Sequence, residues 1–225
     1  MVLDRQATNG ELETLGFTVA RGVIDSTVRE RLLALCDPGT AAGAVRHRSG
    51  AVFAARGLLS SIPALREAVH AAGLTELATV HLGKDAVPID ALFFDKRSAM
   101  NWVVPGHQDR LMPQAEVGGP LRRMKHGLAY AEPAVGVLTS LIALRLHFDD
   151  CDAMTGALGV VPGTHRALVP ELEIANIPFA RYRPCAFAAG DVMLMKPLLL
   201  HRSSPSTSSG PRRVLHVVYA PRPLQ

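Results

Sequence analysis

The sequence is short of the residues that mark several large functional classes. Its three cysteines, Cys36, Cys151 and Cys185, are widely separated and form no CxxC, so neither a disulfide framework nor a thiolate zinc site is indicated. Buried thiols are the expectation. Aromatic residues make up 5% of the chain, which leaves few platforms for stacking single-stranded nucleic acid. No uncharged apolar run approaches the ~18–20 residues needed to span a bilayer. Met1 to Gly10 (MVLDRQATNG) also lacks the charged-then-apolar pattern of a secretory signal, so a cytoplasmic protein without membrane contact is predicted. GxSxG, GxxxxGKS/T and GxGxxG are all missing, and the serine-hydrolase, P-loop and dinucleotide-binding readings lose their usual support.

Charge is nearly balanced, with 24 Lys+Arg against 20 Asp+Glu. The basic residues come in pairs or loose groups interleaved with acids (Arg122, Arg123 and Lys125; Arg212 and Arg213). Displacing counterions from a polyanion needs a cationic cluster, so nucleic acid is not an expected partner. A small anionic substrate fits the surplus better.

What is present is an ordinary apolar complement, 48% of 225 residues, enough for a sizeable core in one domain. Helical spacing is clear in Thr27 to Cys36, capped by Ser26, in a segment opening at Ser60, Ser61 and Pro63, and in Leu74 to Leu82. From Ala86 the texture changes to short apolar or alternating runs bounded by Pro, Gly, Asp or Ser: Ile89 to Phe94, Leu141 to Phe148, Ala157 to Val161, Asp191 to Met195 and Val214 to Tyr219. Helices first and strands afterwards predict an α+β, mainly β fold with a sandwich or barrel core. Residues Gln114 to Pro133 show little periodicity and read as a long loop, either a lid or a solvated excursion.

The chemistry centres on His107-Gln108-Asp109, where residues i and i+2 of an extended segment project to one side. Alone, this is also how a turn histidine beside a surface carboxylate would look. A third ligand is offered by His201, which lies 92 residues after Asp109, follows an apolar run and is itself followed eleven residues later by Arg212. Two imidazoles and one carboxylate on one face leave adjacent positions open, as suits Fe(II) that must take a bidentate cosubstrate and O2; zinc fits the same ligands less diagnostically. A guanidinium on the next strand is suited to hold the far carboxylate of a dicarboxylic keto acid.

On these residues the chain resembles the phytanoyl-CoA dioxygenase family of Fe(II)/2-oxoglutarate oxygenases. The blocks ALFFDK, NWVVPGHQD, LRLHFDDCDAMTGALGVVPGTHR and GDVMLMKPLLLHRSSPSTSSGPRRVLHVVYA follow in the family's order over roughly residues 89 to 220. The resemblance implies a double-stranded β-helix, a jelly roll of the cupin-like kind, with supporting N-terminal helices. The expected layout is a single domain over 1–225, helical in 1–85 and jelly roll in 86–221. It further implies Fe(II) held by His107, Asp109 and His201, and 2-oxoglutarate held by Arg212 with help from Ser203, Leu92 and Arg145 lining the cosubstrate pocket. The expected reaction consumes O2, releases succinate and CO2, and hydroxylates a small molecule. Related halogenases carry a small residue at the position of Asp109.

Several alternatives stay open in the residues. Arg213 competes with Arg212, since alternation sends only one of them inward. Arg145, on an apolar strand, must meet an anion or pair with Asp149 or Asp150. His126 and Arg123 are the candidate substrate contacts, and Lys96 and Asn101 could sit at the pocket mouth. His165 reads as a structural hydrogen-bonding residue, while His147, His216 and Cys151 face either cavity or core. The rival functions are a non-catalytic ligand-binding jelly roll and a cupin-like metalloenzyme that uses no 2-oxoglutarate. Oligomeric state is not legible.

Overall fold

The computed structural model describes residues 5–36, 44–48, 51–96, 103–125, 127–208 and 210–224. The chain opens with α1 (Arg5–Leu15), β1 (Phe17–Ala20) and α2 (Ser26–Cys36), then β2 (Ala44–Arg48) and β3 (Ala51–Arg56). Three helices follow, α3 (Leu58–Ser61), α4 (Ala64–Ala71) and α5 (Leu74–Leu82), before the long β4 (Val87–Lys96). Next come β5 (Val104–His107), β6 (Met112–Pro113), α6 (Gln114–Val117), β7 (Leu121–Lys125), β8 (Leu128–Ala131), α7 (Val135–Ser140) and β9 (Ile142–His147). The C-terminal third holds β10 (Leu158–Val161), α8 (Glu171–Ala175), β11 (Arg183–Pro184), β12 (Val192–Met195), β13 (Leu200–Ser203) and β14 (Arg212–Ala220).

The strands form an antiparallel seven-stranded sheet, β1-β12-β9-β14-β4-β3-β2, a four-stranded sheet, β11-β10-β13-β5, and a three-stranded sheet, β6-β8-β7. The predicted α+β, mainly β architecture is thus the observed one. Among the described residues no helix is long and apolar enough to cross a membrane.

Period-two alternation in the central strands decides where each layer packs. In β14, Leu215, Val217 and Tyr219 face the helices and join a core with Leu12, Leu32, Leu65, Val69 and Leu74. The alternate residues Arg212, His216 and Val218 face the other way, into a cavity between the sheets. In β4, Ala91 and Phe93 join the helix-side core, while Asp90, Leu92 and Phe94 line the cavity. A second core, which includes Ala143, Met193 and Met195 of the large sheet and Leu158 and Val160 of the small one, fills the space between the sheets. Each such fully buried aliphatic contributes about 1.5–3 kcal/mol, so the first core fastens the helices to the large sheet and the second fastens the two sheets together.

Several expectations change in detail. The cap of α2 is Asp25, whose Oδ1 accepts the Val28 amide at 2.9 Å while its carbonyl accepts from Arg29 at 3.0 Å; Ser26 is already the first helical residue. The first 85 residues supply β1, β2 and β3 to the large sheet as well as helices. The expected loop at 114–133 is largely ordered: it forms α6 and the β7–β8 hairpin, with β6 closing the three-stranded sheet. Its strands escape a periodicity reading because β7 is exposed on both faces, so no apolar alternation marks it. All three cysteines are free, Cys36 and Cys151 buried and Cys185 half-buried, and burial pushes the Cys36 thiol up to about 12.

Candidate active site

The site forms where β5 and β13 pair at their ends. His107 and His201 are direct cross-strand partners, with ring centroids 4.2 Å apart. Asp109 follows two residues after His107, and its amide donates to the Pro197 carbonyl at 2.8 Å, which pins it beneath the His201 strand. Its carboxylate then faces both imidazoles: Oδ1 lies 3.7 Å from His107 Nε2 and Oδ2 lies 3.7 Å from His201 Nε2. One ligand atom from each of these residues falls within 4.8 Å of the others.

The residue between the two, Gln108, is buried and holds this corner in place. Its Nε2 donates to the carbonyls of Leu198 at 2.6 Å and Ala167 at 2.9 Å, and its Oε1 accepts the Val169 amide at 2.9 Å. The segment carrying His107 and Asp109 is thereby tied to the chain on either side of β10 and β13. Gly106 permits the close approach, since a Cβ there would run into the Tyr182 hydroxyl.

These residues fit a divalent metal. Nδ1 of His107 lies 2.9 Å from the Pro105 carbonyl and Nδ1 of His201 lies 2.8 Å from the Leu199 carbonyl. A carbonyl can only accept, so each Nδ1 carries the proton and each Nε2 presents a lone pair to the gap beside Asp109. Burial lowers His201 to about 4, keeping it neutral at physiological pH as a ligand must be. Burial by itself would raise the Asp109 carboxyl, but the surrounding imidazoles and Arg145 outweigh it and hold the group well below the usual carboxylate range.

Deeper in the cavity lies an anion-seeking wall. Arg212 is 3% exposed, and its Nε and Nη1 have no hydrogen-bond partner. Buried donors of a charged group are costly to leave unpaired, so this is a place for an anion. Beside it the Ser203 hydroxyl donates to the Gly156 carbonyl at 3.1 Å and receives Lys96 Nζ at 3.0 Å. Gly156 has φ 71° and sits so close to the Ser204 carbonyl that no Cβ would fit, which is why a glycine belongs in GALGVV. Lys96 is fully buried; burial, reinforced by Arg212, lowers it to about 7. Arg213 points the other way and makes a two-pronged contact with Asp149 at 2.6 and 2.9 Å.

Among the described residues Arg145 pairs with no acid. Asp149 is engaged by Arg213, Asp150 accepts the Ala189 amide, and Arg145 Nη1 instead meets His216 Nδ1 at 2.9 Å. Because arginine only donates, His216 must accept at Nδ1 and carry its proton on Nε2, which lies 4.0 Å from Asp109 Oδ2. Burial, and then Arg145, push His216 down to about 3.

One cavity of about 610 Å3 gathers His107, Asp109, His201, Arg212, Ser203, Arg145, Leu92 and Arg123. His126 and Asn101 lie outside the described residues. Of the histidines left open, His216 lines the cavity, whereas His147 stacks on Phe187 at 3.8 Å in the core region. His165 is buried against Gly16, where a Cβ would lie 2.5 Å from its ring. Reading the sequence alone passed over Asp90, Arg56 and the clamp at Gln108. The available signals were an acid in the apolar run IDALFF and a glutamine between two ligands.

Comparison with known proteins gives the arrangement a family. No curated protein sequence matches the chain. Among solved structures it is similar to AviO1 from Streptomyces viridochromogenes Tue57, at 22% identity and TM-score 0.71, over 100% of this chain and 98% of that one. It is also similar to EctD from S. alaskensis solved with 2-oxoglutarate and 5-hydroxyectoine, at 17% identity and TM-score 0.74, over 100% of this chain and 78% of that one. EctD has been solved with bound Fe as well. A third is SnoN, a non-heme α-ketoglutarate-dependent epimerase from nogalamycin biosynthesis, at 16% identity and TM-score 0.69, over 96% of this chain and 83% of that one. At such identities the structural likeness speaks for the fold. The family model for phytanoyl-CoA dioxygenase, however, matches residues 12–214, and the chain belongs to that family of Fe/2-oxoglutarate oxygenases.

Proposed function

We propose that the protein is an Fe(II)/2-oxoglutarate-dependent dioxygenase that hydroxylates a small molecule. The observation that carries this reading is one cavity holding the His107, Asp109 and His201 face together with a buried Arg212 whose Nε and Nη1 lack partners among the described residues. Iron with bound 2-oxoglutarate and O2 supplies the oxidation: one oxygen atom enters succinate as CO2 leaves, and the other enters a C–H bond of the substrate. The protein's own residues position the reactants and exclude water.

His107, Asp109 and His201 hold the metal through two Nε2 lone pairs and a carboxylate, with Gln108 and the Pro105 and Leu199 carbonyls fixing their orientation. Arg212 receives the distal carboxylate of 2-oxoglutarate, and the Ser203 hydroxyl, held by Lys96 and the Gly156 carbonyl, lies at its side. Leu92 forms apolar wall beside the carbon chain, and the cationic Arg145 adds a second charge for the anion. Arg123, which lines the same cavity, faces the primary substrate. The carboxylate of Asp109 fills the position that a halide would need, which favours hydroxylation over halogenation.

Anaerobic titration of the Fe(II)-loaded protein with 2-oxoglutarate tests the cosubstrate step through the visible charge-transfer band of the chelate. Succinate release across a substrate panel, with Asp109→Ala as the inactive control, tests turnover. A metal-loaded protein that neither develops the band nor releases succinate would overturn the reading.

A further inference from the structure

The wall of the cavity formed by β3, β4 and the β7–β8 hairpin has polar groups that the cosubstrate reading leaves unused. Asp90 stands on the cavity-facing side of β4 between apolar neighbours and is 4% exposed. Among the described residues its Oδ1 has no hydrogen-bond partner, and the rest of the carboxyl is met by the Ala91 amide and by a long contact, 3.4 Å, from the Tyr130 hydroxyl to Oδ2. Tyr130 is 1% exposed and cannot turn to water instead. A buried carboxyl with spare acceptor capacity costs stability unless something supplies a donor.

Cations surround this acceptor. Arg56, Arg123 and Lys125 line the same cavity, and among the described residues none of the three has a carboxylate within salt-bridge distance. Their neighbours differ: Arg110 and Arg122 already share Glu132. Lys125 lies 5.4 Å from the Tyr130 ring centroid, so the charges and the carboxyl belong to one corner. An ammonium group seeking Asp90 would have to pass three like charges, whereas a neutral hydroxyl would not.

We propose that the primary substrate is a small hydroxylated anion, with its charged group received by Arg56, Arg123 and Lys125 and a hydroxyl donated to Asp90. This rests on the oxygenase reading for calling the ligand a substrate. The recognition itself concerns the far end of the cavity from Arg212 and Ser203, since along the paired strands β4 and β14 Asp90 stands opposite Val218 and Arg212 opposite Lys96. A carboxylate and a phosphate satisfy the cations equally, so the class is set by charge plus hydroxyl.

The test uses matched probes on the full chain, with and without Fe(II) and 2-oxoglutarate under anaerobic conditions: gluconate against hexanoate, glycerol 3-phosphate against propyl phosphate, and sorbitol as the uncharged polyol. Binding is read by calorimetry or saturation-transfer NMR. In at least one pair the hydroxylated anion should bind tenfold or more tightly than its deoxy partner, with sorbitol weaker than either. Asp90→Leu should erase that preference and leave 2-oxoglutarate affinity unchanged. The double variant Arg123→Ser/Lys125→Ser, at one exposed and one half-buried position, should weaken both members of the pair by the same factor. Deoxy partners binding as tightly in every pair, or a preference that survives Asp90→Leu, would overturn the assignment. Loss of 2-oxoglutarate binding with the preference intact would instead sink the oxygenase reading and leave this site standing.

Discussion

Replacing Asp90 by asparagine should stabilise the protein at neutral pH and lose that effect on acidification. Burial raises the Asp90 carboxyl from its ordinary 3.8 to about 6, with Arg56, the neighbouring Ala91 amide and the Tyr130 hydroxyl opposing the rise only in part. Each tenfold change in proton affinity is worth about 1.4 kcal/mol, so the ionised group costs the fold about 3 kcal/mol above pH 6. The sign follows from where the proton prefers to be. The folded state holds it more tightly than the unfolded chain, so the cost is nil below pH 4, grows between 4 and 6, and is constant above. Asparagine has the shape of the protonated acid without the charge, and it keeps an oxygen for Tyr130. The variant should therefore exceed the wild type by about 3 kcal/mol at pH 7.5, a rise in melting temperature of roughly 6–12 °C for a chain of this size. The two should converge as pH falls to 4. Urea denaturation of both proteins at several pH values measures the gap directly, because the other titrating groups cancel in the difference. Equal stability at pH 7.5, or a gap that does not close on acidification, would refute the burial argument.

Two further substitutions separate residues that look alike in the sequence. Arg212→Ala should weaken 2-oxoglutarate binding by roughly 100-fold or more, as expected for removing one partner of a buried charge pair. Arg213→Ala should leave that affinity unchanged and cost about 1 kcal/mol by losing its half-exposed pair with Asp149; anaerobic titration and urea denaturation read the two effects. Gln108→Leu leaves the Leu198 and Ala167 carbonyls and the Val169 amide without partners inside the protein. It should lower stability by about 3–5 kcal/mol and, by loosening His107 and Asp109, lower metal affinity roughly 10–100-fold, read by chelator competition.

The site residues that spacing could reach were the ones carried by short-range geometry. HxD places its two ends on one side of an extended segment, and the strand rule requires Arg212 and Arg213 to diverge, although it does not say which turns inward. The structure places Arg212 in the cavity because Leu215, Val217 and Tyr219, on the opposite face, are claimed by the helices. Arg145 was read as needing an anion or an acid. It found a histidine instead, which no local pattern could show because His216 is 71 positions away along the chain. The hairpin in 114–133 was hidden for another reason: β7 is almost wholly exposed and β8 buries two consecutive residues, Tyr130 and Ala131, so neither strand carries an alternating hydrophobic period.

By itself, the sequence determined the order of the central strands β4, β9, β10, β12 and β14 after α5, the alternation that sorts them into faces, and the ligand set with its cation eleven residues on. These depend on neighbours within a turn or a strand, where covalent geometry fixes direction. Only the tertiary structure decided which buried groups meet. It joined Gln108 to three backbone groups across the sheet and fixed the proton of His216 through Arg145. It also left one oxygen of Asp90 and two nitrogens of Arg212 without partners among the described residues, at opposite ends of one cavity-facing sheet. Pairings of that kind are set by strand register, as for His216 opposite Arg145, and by how loops and sheets pack, so residues far apart in the chain share a hydrogen bond only once the strands are assembled.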